Sequence, residues 1–250
     1  MNPRPHLFGV LAGLFLAAGL AVSAAIVAST LTRLNDSSAI NVTGSARRNV
    51  RSDLIIWRAN FSADAPTLLE AQRQLQADLA KVSSFLQLHG MTNVALAPVQ
   101  IREITAKRRE RSDDDDAEPQ TVLVRLGYRL TQGVEISSSE VERVPRLAAE
   151  SGVLLEQGVA FVSEGFQFIY TKAGEAKVEM MAEATKDARA RAEQIAAQGN
   201  RRVDGLRNAK VGVVQINPLH SSATSWDGNN DTTSLDKTII ATVSASFAMK

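Results

Sequence analysis

The most unusual charged segment of this 250-residue chain is a row of glutamates spaced by four residues. Residues at that spacing share one face of a helix, where like charges repel each other. A crowded row of carboxylates can raise the pKa of one member into the range that acid–base catalysis uses. The segment is therefore a candidate site, together with the aromatic and basic residues that precede the row. Its members are Tyr170, Lys172, Glu175, Glu179 and Glu183.

The same row can also be a solvated helix face without any chemistry. Lys172 and Lys186 supply compensating positive charge, and two oppositely charged pairs follow at the i,i+4 spacing of helical ion pairs. These pairs are Asp187–Arg191 and Arg189–Glu193. The balance of charges favours this second interpretation.

The patterns that mark other catalytic and metal centres are absent from the sequence. There is no cysteine, which excludes disulfides, thiolate metal sites and a cysteine nucleophile. The three histidines, His6, His89 and His220, lack metal-ligand spacing. The segment from Asp227 to Asp231 begins like a calcium-binding loop but lacks the glycine and the final glutamate that such a loop requires. The chain is therefore predicted not to be an enzyme, with no cofactor and no metal.

The charge balance limits the class of partner. A formal net charge of +1 argues against a nucleic-acid partner, because nucleic-acid binders usually carry a strong basic excess. The basic cluster Lys107–Arg111 is followed at once by four aspartates, Asp113–Asp116, which leave this stretch net negative. Residues 107–120 are therefore predicted to be a solvated loop and not a phosphate or cation site.

One tryptophan, Trp226, lies in a second predicted loop, residues 218–234, which is rich in serine, asparagine, aspartate and glycine. A polar loop offers a large aromatic side chain little local core. Aromatic anchors often dominate interfaces, so Trp226 is a candidate contact for a neighbouring subunit or another partner. Folding of the indole back onto its own domain is an equally good alternative.

An uncharged run, Leu7–Leu31, opens the chain. As a helix it would be about 37 Å long, which is enough to cross a hydrocarbon core of about 30 Å. A cleaved signal peptide is the alternative, because Val22–Ala24 resembles a cleavage site, but signal peptides have a shorter apolar core. Residues 1–34 are therefore predicted to be a single-pass inner-membrane anchor, with residues 35–250 in the periplasm. Secretion to the periplasm after cleavage stays open.

Small residues recur at every fourth position of this run. Such a stripe lets two helix backbones approach closely in lipid, so it predicts self-association of the anchor. The alternative is that alanine and glycine are simply common in exported N-termini. The predicted packing residues are Gly9, Gly13, Ala17 and Ala21.

Alternation of apolar and polar residues predicts antiparallel strands in the folded part. They lie near residues 40–47, 55–61, 122–131, 166–170 and 238–247. The alternation places Leu126 on the apolar face of its strand. The order strand, long helix, strand, polar loop, strand occurs twice, at about 53–132 and 159–248.

A helical period predicts three helices between these strands. The first is capped by Asp64, has Leu68 in its apolar stripe and ends at Gly90. The second follows a capping box of Ser139 and Glu142 and is delayed or kinked by Pro145. The third covers residues 173–198, stops at Gly199, and packs through a face of Met181, Ala184, Ala188 and Ile195. The predicted fold class is α+β, with two βαββ-type units that share one sheet system after an N-terminal transmembrane helix.

Five segments carry a further signal: 40–46 (Ile-Asn-Val-Thr-Gly-Ser-Ala), 52–57 (Ser-Asp-Leu-Ile-Ile-Trp), 127–132, 158–161 and 170–193. Together they resemble the SIMPL-domain family of exported bacterial proteins, and the similarity spans residues 40–250. The resemblance implies an α+β fold, an N-terminal signal or anchor and residence in the cell envelope. It also implies homo-oligomeric assembly in some members and a link to envelope or oxidative stress. The family has no established catalytic residues, so none are assigned.

Three hypotheses about function follow. The leading one is a non-enzymatic, membrane-anchored envelope protein whose domain forms homo-oligomers. The second is a periplasmic ligand-binding or sensing module that uses the sheet face or the groove beside the third helix. The third is an unrecognised hydrolase that uses the carboxylate row.

Overall fold

The computed structural model describes residues 5–35, 39–110 and 120–250, which form a mixed α+β fold as the sequence predicts. The helices are α1 (Pro5–Asn35), α2 (Leu68–Leu88), α3 (Arg143–Glu150), α4 (Gly152–Glu156) and α5 (Ala173–Gln198). The strands are β1 (Ala39–Arg51), β2 (Leu54–Ala65), β3 (Val94–Leu96), β4 (Gln100–Glu110), β5 (Gln120–Ser138), β6 (Ala160–Ile169), β7 (Val203–Val211), β8 (Gln215–Pro218) and β9 (Asp236–Met249).

The described chain divides into two compact units. The first unit draws on residues 1–46, 178–213 and 240–250, within the described ranges. The second draws on residues 47–177 and 214–239, again within those ranges. The long elements β1, α5 and β9 each contribute residues to both units.

The strands form two sheets, whereas the sequence predicts one shared sheet system. The larger sheet has the order β3–β5–β2–β6, with β4 also paired to β5, and its strand pairs are antiparallel. The other sheet has the order β1–β9–β7, with β8 paired to β9. Strand β6 opens the second half of the chain but pairs with β2 of the first half. Pairing between strands of the two halves is a long-range contact, and the local sequence pattern does not encode it.

The core of the second unit lies on one face of the larger sheet. The inward side chains of β2 and β5 pack with residues of α2, α3 and α4 in one cluster. Trp57 lies at its centre, edge-on to Phe161, and its indole nitrogen donates to Ser163 Oγ at 2.8 Å. Helices α2, α3 and α4 pack on this face, and the polar residues of β2 and β5 alternate onto the opposite face. This opposite face, named the open face, offers a surface for ligand binding.

Helix α2 begins three residues later than its predicted N-cap would place it. Thr67 is the N-cap: its hydroxyl accepts from the Glu70 amide and the Glu70 carboxylate accepts from the Thr67 amide, which is a capping box. The prediction of Asp64 as the cap is wrong, because Asp64 still lies in β2 and accepts two hydrogen bonds from Arg129. Leu68, predicted in the apolar stripe, lies in the first turn and is exposed.

Helices α3 and α4 occupy the segment predicted to be one helix. The capping box of Ser139 and Glu142 is wrong, because Glu142 is itself the N-cap of α3 and makes no side-chain cap. The delayed start is confirmed. Pro145 is the third residue of α3, where its missing N–H has no helical acceptor to lose.

Helix α5 has the predicted bounds, but its buried face differs from the predicted one. Residues at every fourth position are buried, namely Ala176, Met180, Ala184, Ala188, Ala192 and Ala196. Ile195, predicted to pack, is exposed. Ala184 and Ala188 lie against Gly44 of β1 so closely that a Cβ on Gly44 would overlap their backbone. Small residues on both sides therefore let β1 and α5 approach.

The left-handed residue after α5 is Asn200, with φ 53°, and not the predicted Gly199. The amide of Arg201 donates to Ala196 O and that of Asn200 to Ala197 O, the two bonds of a Schellman motif. Asparagine tolerates this conformation better than most other residues, which is why it can replace glycine there.

Strand β5 contains an irregularity that the period-two pattern does not reveal. The pairing with β4 shifts between Ile104 and Thr105, so that Leu126 has no partner and is exposed. A bulge of this kind re-aims the side chains beyond it. The predicted loop at 107–120 is shorter, because β4 continues to Glu110 and β5 begins at Gln120. Asp113–Asp116 lie outside the described residues.

Helix α1 is long and apolar enough to cross a membrane over Gly9–Thr30, and it lies near the N-terminus. Its described side chains are exposed. Length and composition of this kind fit an anchor, and they fit a signal sequence equally well.

Candidate functional site

The polar segment between β8 and β9, residues 219–235, is named the tryptophan loop. Two side chains of β8, which are almost fully buried, bond to its backbone. The Gln215 amide nitrogen donates to Ser225 O at 2.8 Å, and its oxygen accepts from the Asn229 amide at 2.7 Å. The Asn217 amide nitrogen donates to Ala223 O at 2.7 Å. The loop therefore has a preset backbone, although its composition is typical of a mobile segment.

An ion pair with little solvent exposure fixes the far side of the same loop. Lys237 Nζ donates to Asp231 O at 2.7 Å and to its carboxylate at 3.2 Å, and the side chains are 1% and 8% exposed. Burial opposes ionisation of Asp231, but hydrogen bonds from Thr233, Ser234 and Lys237 outweigh it and lower the pKa of Asp231 to about 2. The carboxylate is thus charged and bonded at neutral pH.

Trp226 lies on this preset loop and is 90% exposed. Of the two alternatives left by the sequence, folding back of the indole onto its own domain is therefore wrong. Its neighbours Ser225 and Asp227 bond to each other and not to the indole. A large apolar side chain on a rigid support is suited to bind a partner.

The segment before α5 is held by Asp53. The Thr171 amide and hydroxyl each donate to the Asp53 carboxylate at 2.7 Å. Desolvation opposes ionisation there, but these bonds and the charge of Lys172 outweigh it, so the pKa of Asp53 is lowered. Tyr170 is half-buried and Lys172 is exposed, so this segment is a structural brace with one accessible cation.

The carboxylates of the predicted row, Glu175, Glu179 and Glu183, are all exposed on α5. The ion pairs predicted beyond the row are confirmed: Arg189 Nε lies 2.8 Å from Glu193, and Arg191 Nε lies 2.8 Å from Asp187. The Asp187 carboxylate also accepts from the Ser45 amide at 2.8 Å. Exposure to water and nearby cations favour the solvated-face interpretation of the row.

A groove of about 620 Å³ lies on the open face of the larger sheet. Two small residues meet at the bottom of the groove and leave it deep: a Cβ on Gly133 would lie 3.1 Å from the Cβ of Ala97. Side chains of both charges line the groove, namely Arg58, Arg102, Arg129, Glu135 and Glu164. The sequence points to the sheet face in general, and the polar positions of the strands are its only signal for these residues.

Carboxylates already hold two of the arginines of the groove. Arg58 Nε lies 2.8 Å from Glu135. Arg129 donates to both oxygens of Asp64, at 2.7 and 2.6 Å, and these hydrogen bonds lower the pKa of Asp64. Surface ion pairs contribute little to stability, so their main effect is to fix the two guanidinium groups in place.

No three acidic or histidine side chains come together as a metal site within the described ranges. His89 lies 3.2 Å from Glu150 but has no third ligand near it. In α1, Gly9 and Gly13 have no atom of the structure near their Cβ positions, and Ala17 and Ala21 are exposed. The small-residue stripe is thus free to pack against another helix.

Comparison with known proteins gives one family. A family model named SIMPL, described as "Protein of unknown function (DUF541)", matches residues 40–247. No curated protein matches the chain. The matched region begins in β1 and ends in β9, so it includes every strand of both sheets.

Proposed function

The chain belongs to the SIMPL family, and on that premise we propose that it is a membrane-anchored envelope protein that works by binding further copies of itself and not by catalysis. The observation that carries the proposal is Trp226, 90% exposed on a loop with a preset backbone. A location in the periplasm and a link to envelope or oxidative stress are parts of the proposal that depend on the family resemblance alone.

The energetics of Trp226 favour an interface role. A buried tryptophan removes about 150–250 Å² from water, which at about 25 cal/mol per Å² is worth roughly 4–6 kcal/mol before the costs of association. Those costs include the ordering of loops and side chains at an interface. The bonds from Gln215 and Asn217 have already ordered this loop, so a larger part of the gain is left for binding.

The N-terminal helix supports the same proposal through a different mechanism. A helix that holds two copies in one membrane turns association into a local event at high effective concentration. The stripe of Gly9, Gly13, Ala17 and Ala21 offers a second contact, because small residues let helices pack closely in lipid. Anchor and loop would then act together, and each could be weakened separately.

The mass of the full chain in detergent, measured by mass photometry, tests the assembly. We expect an oligomer for the natural sequence and a smaller species for Trp226→Ser. Leu88→Ser is the matched control, because Leu88 is 85% exposed in the second unit and should not change the mass. A monomeric natural chain, or an unchanged oligomer in Trp226→Ser and in a Gly9→Ile, Gly13→Ile double variant, contradicts the proposal.

Location is tested separately with reporters fused after Lys250. A phosphatase that is active only outside the cytoplasm should be active there, and a fluorescent protein that folds only inside should be dark. The opposite pair of results rejects periplasmic residence. The intact mass of the chain recovered from membranes decides between a retained anchor and a cleaved signal, because cleavage after Ala24 removes most of α1.

A second candidate function is ligand binding at the sheet-face groove. The observation that favours it is the groove itself, with fixed guanidinium groups on a face that the helices leave open. This function is compatible with assembly, since the groove and the tryptophan loop use different residues.

A further inference from the structure

Arg102 is the unusual residue of the sheet-face groove. It lies on β4 directly opposite Arg129 of β5 in the strand register. Like charges opposite each other destabilise a strand pair. Asp64 neutralises Arg129, but Arg102 forms no hydrogen bond or ion pair with any residue of the described chain. The pair therefore carries one unbalanced positive charge at the surface of a groove.

Hydrogen-bonding capacity remains at this end of the groove. A guanidinium has five N–H groups in a planar fork. Arg129 uses two of its groups on Asp64, so three remain, and Arg102 has all five. The next pair on the same face is Gln100 opposite Thr131, which adds neutral donors beside the two arginines. Two arginines with an amide and a hydroxyl form a suitable site for an oxyanion such as a carboxylate.

The other end of the groove has the opposite charge. Glu164 of β6 accepts a hydrogen bond from the Asn60 side-chain amide at 2.7 Å and forms no ion pair with another described residue. The nearby Arg58 is paired with Glu135. Strands β4 and β6 are three strand spacings apart, or about 14 Å. In the strand register Glu164 lies next to the partners of Arg58 and Ala59, whereas Arg129 is opposite Asp64, about five residues further along β2. The backbones at the two ends of the groove are therefore roughly 20 Å apart. Glu135 and Glu164 together disfavour a polyanion in this groove. A ligand with a carboxylate at one end and an amine at the other matches both ends.

We propose that the groove binds a short peptide, with its C-terminal carboxylate on Arg102 and Arg129 and its amino group toward Glu164. A peptide of four or five residues in extended form is about 14–17 Å long, at about 3.4 Å per residue. The side chains of Arg102, Arg129 and Glu164, which line the groove, span the remaining distance to its two ends. This inference rests on the second candidate function, ligand binding at the groove, and it does not depend on assembly through the tryptophan loop. Arg102 then serves binding and not stability.

Calorimetry with tetraalanine and the full chain in detergent, at low salt, tests the proposal. We expect tetraalanine to bind, and Arg102→Gln to weaken this binding at least about tenfold, because a charge-assisted hydrogen bond is lost. The natural chain should bind tetraalanine amide more weakly by a similar factor, because the amide lacks the carboxylate. N-acetyl-tetraalanine, which lacks the amine, should bind less tightly than tetraalanine.

Matched variants separate the site from general surface charge. Arg73→Gln removes the same charge from an exposed position on α2 of the same unit and should leave binding unchanged. Trp226→Ser should bind tetraalanine normally, whatever its oligomeric state. The proposal is overturned by any of three results: no binding of tetraalanine, equal binding of its amide, or an equal loss in Arg73→Gln. Binding of inorganic phosphate with no binding of tetraalanine also overturns it.

Discussion

The contact between β1 and α5 gives the sharpest prediction about stability. A Cβ on Gly44 would lie 2.7 Å from Ala188 Cβ and would overlap the backbone of Ala184 and Ala188. Carbon atoms prefer a separation of about 3.5–4.0 Å, so Gly44→Ala requires the strand and the helix to separate by about 1 Å. Overpacking usually costs about 1–3 kcal/mol, and a backbone obstacle belongs at the upper end of that range. We expect a loss of about 3 kcal/mol in the free energy of unfolding.

Thermal unfolding of the full chain in detergent, followed by far-ultraviolet circular dichroism, measures this loss. For a chain of this size about 3 kcal/mol lowers Tm by roughly 6–12 °C. Gly205→Ala in β7 is the control, because a Cβ there meets no atom within 4 Å and Tm should not fall. If Gly44→Ala unfolds at the same temperature as Gly205→Ala, the close approach of β1 and α5 is wrong.

Three further variants test the loops and caps. Asp231→Asn should reduce the loss of stability in acid. The pKa of Asp231 in the folded state, about 2, lies below its ordinary value of 3.8, so the natural carboxylate stabilises the fold fully above about pH 4. This contribution, worth about 1–2 kcal/mol, is lost as the pH falls toward 2. Urea titrations at pH 7 and pH 3 measure the free energy of unfolding. If it falls by the same amount between these pH values in the natural chain and in Asp231→Asn, the prediction is contradicted. Lys237→Ala should cost about 3 kcal/mol at pH 7, because it leaves Asp231 buried without its cation, and a fall below 1 kcal/mol would show that the pair is not important. Thr67→Ala removes the cap of α2 and should cost about 1 kcal/mol in the same assay, whereas Asp64→Ala should cost less.

The sequence predicts those elements whose residues satisfy local rules. Helix α5 has its predicted bounds because its helical pattern is long and ends in a turn signal. The predicted N-cap of α2 is wrong because Asp64 and Thr67 are both of a residue type that caps helices well. The choice between them depends on Arg129, which binds Asp64 and is distant in sequence. The prediction that Leu126 lies on the apolar face of its strand is wrong for a similar reason, because the bulge in β5 depends on the pairing with β4. Errors of this kind arise wherever a contact between distant segments decides between two local options.

The candidate sites show the same difference between features set by local sequence and features set by contacts between distant segments. Trp226 is recognisable from sequence because one aromatic residue in a polar loop is unusual. Its exposure could not be predicted, because it depends on buried Gln215 and Asn217, which look like ordinary polar residues. The carboxylate row is the most conspicuous pattern in the sequence, yet its members lie exposed on a helix with ion pairs beyond them. A charged pattern along one helix is thus weaker evidence for a site than a pair of charges that the fold brings together.

The opposed arginines of the groove show why such a pair can persist. The register of β5 buries Leu130, Val134 and Ile136, and a slip by one residue would turn these side chains outward. Each buried side chain of this size is worth about 1.5–3 kcal/mol, whereas unfavourable charges opposite each other in a sheet cost about 1 kcal/mol or less. The core therefore fixes the register and places Arg102 beside Arg129 whether or not the pair is useful. The register does not explain why an arginine occupies position 102, since a neutral or acidic residue there would keep the same core and remove the repulsion. A ligand carboxylate that binds both guanidinium groups supplies that reason.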